Sequence, residues 1–279
     1  MFLSEDYFHE KKLFDKLKQS KLSLDTIQTI VSDFQKNKER YLNKANELAN
    51  FLTTFDAVYL THPRVKSVDS LIEKLLRKAI EGREITPETY KVEITDLIGV
   101  RILHIFKSEY SIVHMRIVKE FQHTFVQNVQ VNLREGDNEN MYKEIHDAQI
   151  HKNQDYRSIH YLIAPFDQRD ARAEIQVRTV FEDGWSEIDH RLIYKKEKSP
   201  NQLLLQHATS ILNALSGDCD TLGELMREIS VFDSKTNSQI GSGDSVRPES
   251  SEESSVSQSL ADLMESYIQS RNKSNKDKD

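Results

Sequence analysis

The chain has 279 residues with 38 basic and 45 acidic side chains, and its formal net charge of −7 argues against indiscriminate binding to nucleic acid. Its 37% hydrophobic and 30% charged residues allow a real core, in one large domain or two small ones, beneath a very wet surface. The single cysteine, Cys219, excludes an internal disulfide framework and a cysteine-rich zinc site.

The opening residues Met1–Asp6 show no basic region leading into a long apolar run, and no stretch approaches a membrane span. The expectation is a cytoplasmic protein without a membrane partner, which the cysteine content fits. The first sixty residues read as helix. Ser23 caps a run in which Thr26, Ile27, Ile30, Val31 and Phe34 recur at helical spacing, continued by Tyr41, Leu42, Ala45, Leu48, Ala49 and Leu52. Lys11, Lys12, Lys16, Lys18 and Lys21 are explained by a solvated helix face.

Pro63 breaks the pattern. A new helix follows, capped by Ser67 or Ser70 and running to Lys78 or Ala79, with Leu71, Ile72, Leu75 and Leu76 inward. Arg64 and Lys66 stand just ahead of it and Lys74 lies one turn beyond Ser70. Cations and free backbone N–H groups thus converge at a helix N-terminus, where phosphates bind well. The stretch 82–87 is a break, after which Ile94–Leu103 reads as a central strand carrying Asp96 at its start and Arg101 inside it. Neither charge can be buried alone. Either Asp96 pairs with Arg101 or caps a turn, or Asp96 binds a metal and Arg101 a phosphate.

Glu109–Phe121 reads as a helix packed on the sheet, with Ile112, Val113, Met115, Ile117 and Val118 inward. Val126–Val131 alternates as a strand, and residues 134–153 read as a long polar loop. Two strands, Ser158–Ala164 and Ala173–Thr179, form a hairpin or adjacent pair. Phe181–Tyr194 reads as a helix with Trp185, Ile188 and Leu192 on one side. Leu203–Leu215 and Leu222–Ile229 read as two further helices joined near Gly217 and Cys219. From about Asp233 to Ser257 the chain is rich in Ser, Glu and Gly, the composition of disorder. Leu260, Leu263, Met264, Tyr267 and Ile268 mark a short amphipathic segment within 258–270.

The strand Ala173–Thr179 organises the chemistry. Ala173, Ile175 and Val177 point to one face, and Glu174, Gln176 and Arg178 to the other, which the alternation presents as a wet face. If Asp96 and Glu174 stand on neighbouring strands, two carboxylates suit magnesium, which keeps waters and bridges substrate phosphates. Arg64, Lys66, Lys74 and Arg101 would neutralise a triphosphate, Tyr156 offers a ring for a base, and Gln176 or Asp183 would read its edge. That is a phosphoryl- or nucleotidyl-transfer site. His146 with Asp147 is too sparse for a metal phosphohydrolase centre, while His104 and Cys219 read as packing residues.

These residues carry a resemblance. The stretch from about Arg64 to Tyr194 resembles the synthetase domain of the RelA/SpoT family, enzymes that make guanosine tetra- and pentaphosphate alarmones. Arg64-Val65-Lys66-Ser67 through Lys74 is similar to the family's ATP-phosphate segment, and Thr95-Asp96-Leu97-Ile98-Gly99-Val100-Arg101 to the strand carrying its magnesium aspartate. Tyr156-Arg157-Ser158-Ile159-His160 is similar to the tyrosine motif, Glu174-Ile175-Gln176-Val177-Arg178-Thr179 to the strand with the essential glutamate, and Trp185 through His190 to the helix after it.

The resemblance implies an α+β fold, a nucleotidyltransferase-like mixed sheet surrounded by helices, and pyrophosphate transfer from ATP to the ribose 3′-hydroxyl of GDP or GTP. It implies Asp96 and Glu174 as magnesium ligands, with Glu174 also the base. Arg64, Lys66, Ser70, Lys74 and Arg101 would bind ATP. Tyr156 would stack on the acceptor base, with His160, Gln176 and Asp183 beside it. The position before the tyrosine, usually glycine in the family, is Asp155 here. The hydrolase and regulatory domains of the long members are absent from this sequence, so synthesis alone is expected. Small members include toxins that modify the tRNA 3′ end, for which Arg77, Lys78, Arg83, Lys195, Lys196 and Lys198 would supply a basic patch. An antitoxin partner, a homo-oligomer and a non-catalytic nucleotide-binding module are the other readings. The expected organisation is a helical extension at 1–62, a synthetase core at 63–198, helices at 199–232 and a tail at 233–279.

Overall fold

The computed structural model describes residues 3–134, 137, 139, 142, 145, 148–153, 156–165, 171–192 and 201–240. Three helices open the chain, α1 (Glu5–Glu10), α2 (Phe14–Ser20) and α3 (Leu24–Thr53). Strand β1 (Leu60–Val65) leads into α4 (Val68–Ile80) and the short α5 (Tyr90–Glu93), and β2 (Ile98–His104) into α6 (Tyr110–Phe121). Four strands follow, β3 (Gln130–Arg134), β4 (Gln149–Asn153), β5 (Ser158–Ile163) and β6 (Ala173–Thr179), and then the helices α7 (Val180–Leu192) and α8 (Gln202–Ile240).

The strands join into one mixed sheet in the order β1-β2-β6-β5-β3-β4, the α+β architecture expected. β2 and β6 run parallel, as do β3 and β4, while the other neighbours are antiparallel. Strand alternation separates two faces. Ile98, Val100 and Ile102 of β2, Ala173, Ile175 and Val177 of β6, and Ile159, Tyr161 and Ile163 of β5 join the main core with Phe34, Tyr41, Ala45 and Leu52 of α3 and Val113 and Ile117 of α6. Each such fully buried Val, Leu or Ile contributes about 1.5–3 kcal/mol. A smaller cluster packs Phe8, Leu13 and Leu17 against Ile27 and Val31 of α3 and Ile72 and Leu76 of α4.

The other face is polar. Register places Arg64 beside Gly99, Gly99 beside Glu174, Arg101 beside Gln176 and Gln176 beside His160. This face is not wet: Gln176 and Arg178 retain only 7% and 8% of their exposure.

Helix starts follow the sequence, since the Ser23 and Ser67 side chains accept from the N–H groups of Thr26 and Ser70. Several expected elements differ. Pro63 lies inside β1, tolerated because an edge strand is hydrogen-bonded on one side only. The third strand is Gln130–Arg134 rather than Val126–Val131. The expected loop 134–153 ends in β4, an edge strand whose single apolar residue, Ile150, gave no alternation to read. In α6, Ile112 and Met115 face outward at 38% and 62% exposure, and in α7 Ile188 and Leu192 are exposed while Trp185 is buried. The two expected C-terminal helices are one, continuous through Gly217 and helical to Ile240. Lys11 and Lys16 do not merely face solvent, because they pair with Asp69 and Glu73 of α4.

By internal contacts the chain divides into Met1–Arg227, which holds the sheet, and Glu228–Asp279. The stretch expected to be disordered from Asp233 is instead helical to Ile240; the rest of it and the amphipathic segment expected at 258–270 lie outside the described residues. No described helix is long and apolar enough to cross a membrane.

Candidate active site

The polar sheet face, with α4 and α7, gathers most of the residues singled out above. α4 starts directly after β1, so Lys66 on the connection and Lys74 nearly two turns into the helix reach back toward the start of β2. Both meet Asp96: Lys66 Nζ lies 2.6 Å from Oδ2 and Lys74 Nζ 2.8 Å from Oδ1. Lys66 and Asp96 are buried, which opposes both charges. Burial raises the Asp96 pKa, but the two ammonium groups win and hold it below the usual carboxylate range. For Lys66 burial prevails and draws it below the ordinary lysine value, against the pull of Asp96. The pairing of Asp96 with Arg101 that the sequence left open is not formed. Arg101 reaches across to α7 instead, with Nη1 2.8 Å from Asp183 Oδ1 and 3.6 Å from Glu187 Oε2.

Glu174 sits at the middle of the face. Gln176 Nε2 donates to its Oε2 at 2.6 Å, and His160 Nδ1 lies 3.3 Å from its Oε1. Burial pushes its pKa up, yet His160, Gln176 and the nearby Lys74 charge together hold it down at about 2. Lys74 therefore acts on both carboxylates, Asp96 by contact and Glu174 through space. Arg64 makes neither an ion pair nor a hydrogen bond with any described residue. It lies across Gly99, where a Cβ would stand 2.9 Å from Arg64 Cγ. Glycine at that position is what lets the guanidinium stem cross the sheet.

On the far side of Glu174, the Tyr156 ring stacks on His160 with centroids 6.3 Å apart and planes inclined by 25°. Arg178 lies near the same ring, its Cζ 5.8 Å from the centroid. It is held by Ser158 Oγ at 3.1 Å and Ser186 Oγ at 2.8 Å. Burial and the Arg101 charge draw its pKa down to about 10. Arg178 is thus part of the same face. Ser70 is the candidate that remains apart: its hydroxyl and N–H engage only the capping Ser67 among the described residues. Sequence reasoning also passed over Glu187 and Gly99, each visible only once strand register and helix placement are known.

The donor set fits a hard divalent cation. Asp96 and Glu174 are both held ionised, and magnesium is commonly bound by one or two carboxylates with water and substrate phosphates completing its shell. Among the described residues no group of three or more His, Cys, Asp or Glu gathers as a closed metal cage. Of the basic residues offered for tRNA, Arg77 and Lys78 lie within 3.6 and 2.9 Å of Glu81, and Arg83 approaches Glu93 at 4.0 Å. Lys195, Lys196 and Lys198 lie outside the described residues.

Residues 63–199 match a family model described as the region found in RelA/SpoT proteins. The chain is 31% identical over 175 residues to GTP pyrophosphokinase YwaC of Bacillus subtilis (strain 168), spanning 60% of this chain and 74% of that protein. Among solved structures it is similar to small alarmone synthetase 1 from Bacillus subtilis bound to its product pppGpp, at 23% identity and TM-score 0.48, covering 72% of this chain and 99% of that one. It is also similar to a GTP pyrophosphokinase family protein from Streptococcus pneumoniae, at 20% identity and TM-score 0.45, covering 81% and 96%.

Proposed function

The chain belongs to the RelA/SpoT family, and on that premise we propose that it transfers pyrophosphate from ATP to the 3′-hydroxyl of GDP or GTP, forming guanosine tetra- or pentaphosphate by a synthesis-only, magnesium-dependent reaction. The observation that carries this reading is the shared Lys74, which joins Asp96 and Glu174 into one site flanked by Arg64 and Arg101 on one side and Tyr156 on the other.

As a pyrophosphotransferase the protein must neutralise a triphosphate, align the acceptor hydroxyl with the β-phosphorus and let AMP leave. Arg64 is free of other partners among the described residues and meets the phosphates first. Lys66, Lys74 and Arg101 turn from their carboxylates to the phosphate oxygens. A magnesium ion held by Asp96 and Glu174 would offset further phosphate charge and favour ionisation of the hydroxyl. Tyr156 stacks on the guanine, with Gln176 and His160 alongside, while Asp183 is engaged by Arg101 from the ATP side.

Glu174 takes the proton from the 3′-hydroxyl. At a pKa of about 2 it is a reluctant base. Turning the Lys74 charge to the phosphates removes the smallest of the causes that hold it there, while a magnesium ion on the same carboxylate would act the other way.

The test is incubation of purified protein with γ-labelled ATP, magnesium and GDP, GTP or deacylated tRNA in separate reactions. Label on the guanine nucleotide, lost in Glu174→Gln, is the expected result. Label moving only to tRNA would replace this reading with modification of the acceptor end. No transfer at all, with Glu174→Gln indistinguishable from wild type in nucleotide binding, would make the chain a non-catalytic module.

A further inference from the structure

The residue next to the stacking tyrosine makes a cluster that the reaction above does not use. Arg157 turns away from the sheet face and is gripped by Asp137 through two parallel bonds, Nε to Oδ2 at 2.6 Å and Nη2 to Oδ1 at 2.9 Å. Its Nη1 donates to Glu182 Oε1 at 2.7 Å and to Asn213 Oδ1 at 3.3 Å. Glu182 is itself fixed, because Trp185 Nε1 donates to its other oxygen at 2.7 Å. These anchors come from the connection after β3, the first turn of α7 and the middle of α8. At Gly217 of α8 a Cβ would stand 3.1 Å from Arg157 Nη2, so the glycine makes room for the guanidinium.

We propose that Arg157 is a positioning residue for the acceptor: through it, α7 and α8 fix where Tyr156 stands. A guanidinium held by a planar fork on one carboxylate and a second acid across from it has little freedom to turn. The peptide bond to Tyr156 passes that fixity to the ring. α7 then serves both substrates from adjacent residues, since Glu182 holds Arg157 on the acceptor side and Asp183 holds Arg101 on the ATP side. Gly217, which broke the helix in a reading by propensity, is the point where α8 admits this contact. The inference rests on the proposed transfer reaction for what Tyr156 binds, but not on which acceptor is used.

The experiment is steady-state kinetics on the full chain, varying ATP and the acceptor independently, with GDP, GTP and deacylated tRNA each tried. Arg157→Lys keeps the charge and loses the fork. It should raise the acceptor KM by about tenfold, leave the ATP KM within about twofold, and add nothing in a Tyr156→Ala background. Gly217→Ala should also raise the acceptor KM while leaving the melting temperature unchanged or higher, because alanine favours a helix. A parallel rise in both KM values, or effects of Arg157→Lys and Tyr156→Ala that multiply, would overturn the proposal. If wild type uses only tRNA, the guanine-nucleotide reading fails and the same split, measured with tRNA, still decides the role of Arg157. A wild type that transfers to none of the three overturns both.

Discussion

Replacing Glu174 by glutamine keeps the side chain's shape and removes its charge, which makes it a direct probe of the site's electrostatics. In the folded chain His160, Gln176 and Lys74 overcome burial and hold the carboxyl at about 2, against an ordinary 4.5. That depression is worth about 3 kcal/mol of preference for the ionised form. A depressed carboxylate contributes stability that is fully present above its unfolded pKa and is lost as pH falls through its folded one. The window is therefore from 4.5 down to about 2. A glutamine contributes nothing that changes across it. Urea denaturation of both proteins along a pH series should find the wild-type advantage over Glu174→Gln shrinking by about 3 kcal/mol as pH drops through this window. At neutral pH the same variant should transfer pyrophosphate slower by about 10²–10⁴-fold, the usual worth of a positioned base, while still binding a non-hydrolysable ATP analogue. A stability gap that stays constant with pH, together with transfer within about tenfold of wild type, would refute the reasoning about this residue.

Asp96→Asn leaves the buried Lys66 and the partly buried Lys74 without their counter-charge, and should lower the unfolding free energy by about 3–5 kcal/mol in denaturant titrations. Gly99→Ala drives a methyl to 2.9 Å from Arg64 Cγ, so the guanidinium must leave its path; the ATP KM should rise by about tenfold while the acceptor KM holds. Asp220, a buried residue of α8, accepts from Thr179 Oγ1 at 3.0 Å, and burial pushes its pKa up to about 6 from 3.8. A raised carboxyl costs stability above its folded pKa, and that cost fades as pH falls toward the unfolded value. Asp220→Asn should therefore raise the melting temperature at pH above 6, with a gain of up to about 3 kcal/mol that disappears near 3.8.

The two central strands were readable because alternation in Ala173–Thr179 is strong and the near-continuous apolar run within Ile94–Leu103 marks a central strand, observed as Ile98–His104 beside it. Ser23 and Ser67 announced their helices by the same local chemistry that caps them. What stayed hidden depended on partners distant in sequence. Nothing near Arg101 pointed to Asp183, which lies across the sheet on α7, and nothing near Asp96 marked two lysines as its partners rather than Arg101. Pro63 looked like a stop because its tolerance depends on β1 being an edge, a property of the whole sheet. Gly217 looked like a helix end because propensity cannot see the Arg157 side chain that needs the space. The wetness of the Glu174 face was misjudged for the same reason: alternation gives two faces, and only tertiary structure says what covers the second.

The pairing pattern also constrains the order in which the site fills. Three of the four cations expected to meet a triphosphate already hold a carboxylate: Lys66 and Lys74 hold Asp96, and Arg101 holds Asp183. The site is thus neutralised internally, which lowers the cost of keeping its charges buried. A divalent cation approaching alone must displace two ammonium groups from Asp96 and leave them without partners, Lys66 buried and Lys74 partly so. A triphosphate approaching with the cation gives those ammonium groups new acceptors as it releases the aspartate. The two exchanges compensate each other only when they occur together, so metal and ATP should bind with positive coupling, each strengthening the other by the same factor. Arg64, with no carboxylate to give up among the described residues, is the natural first contact for the incoming phosphates. Removing Lys74 should weaken that coupling, because Lys74 acts on Asp96 and Glu174 alike.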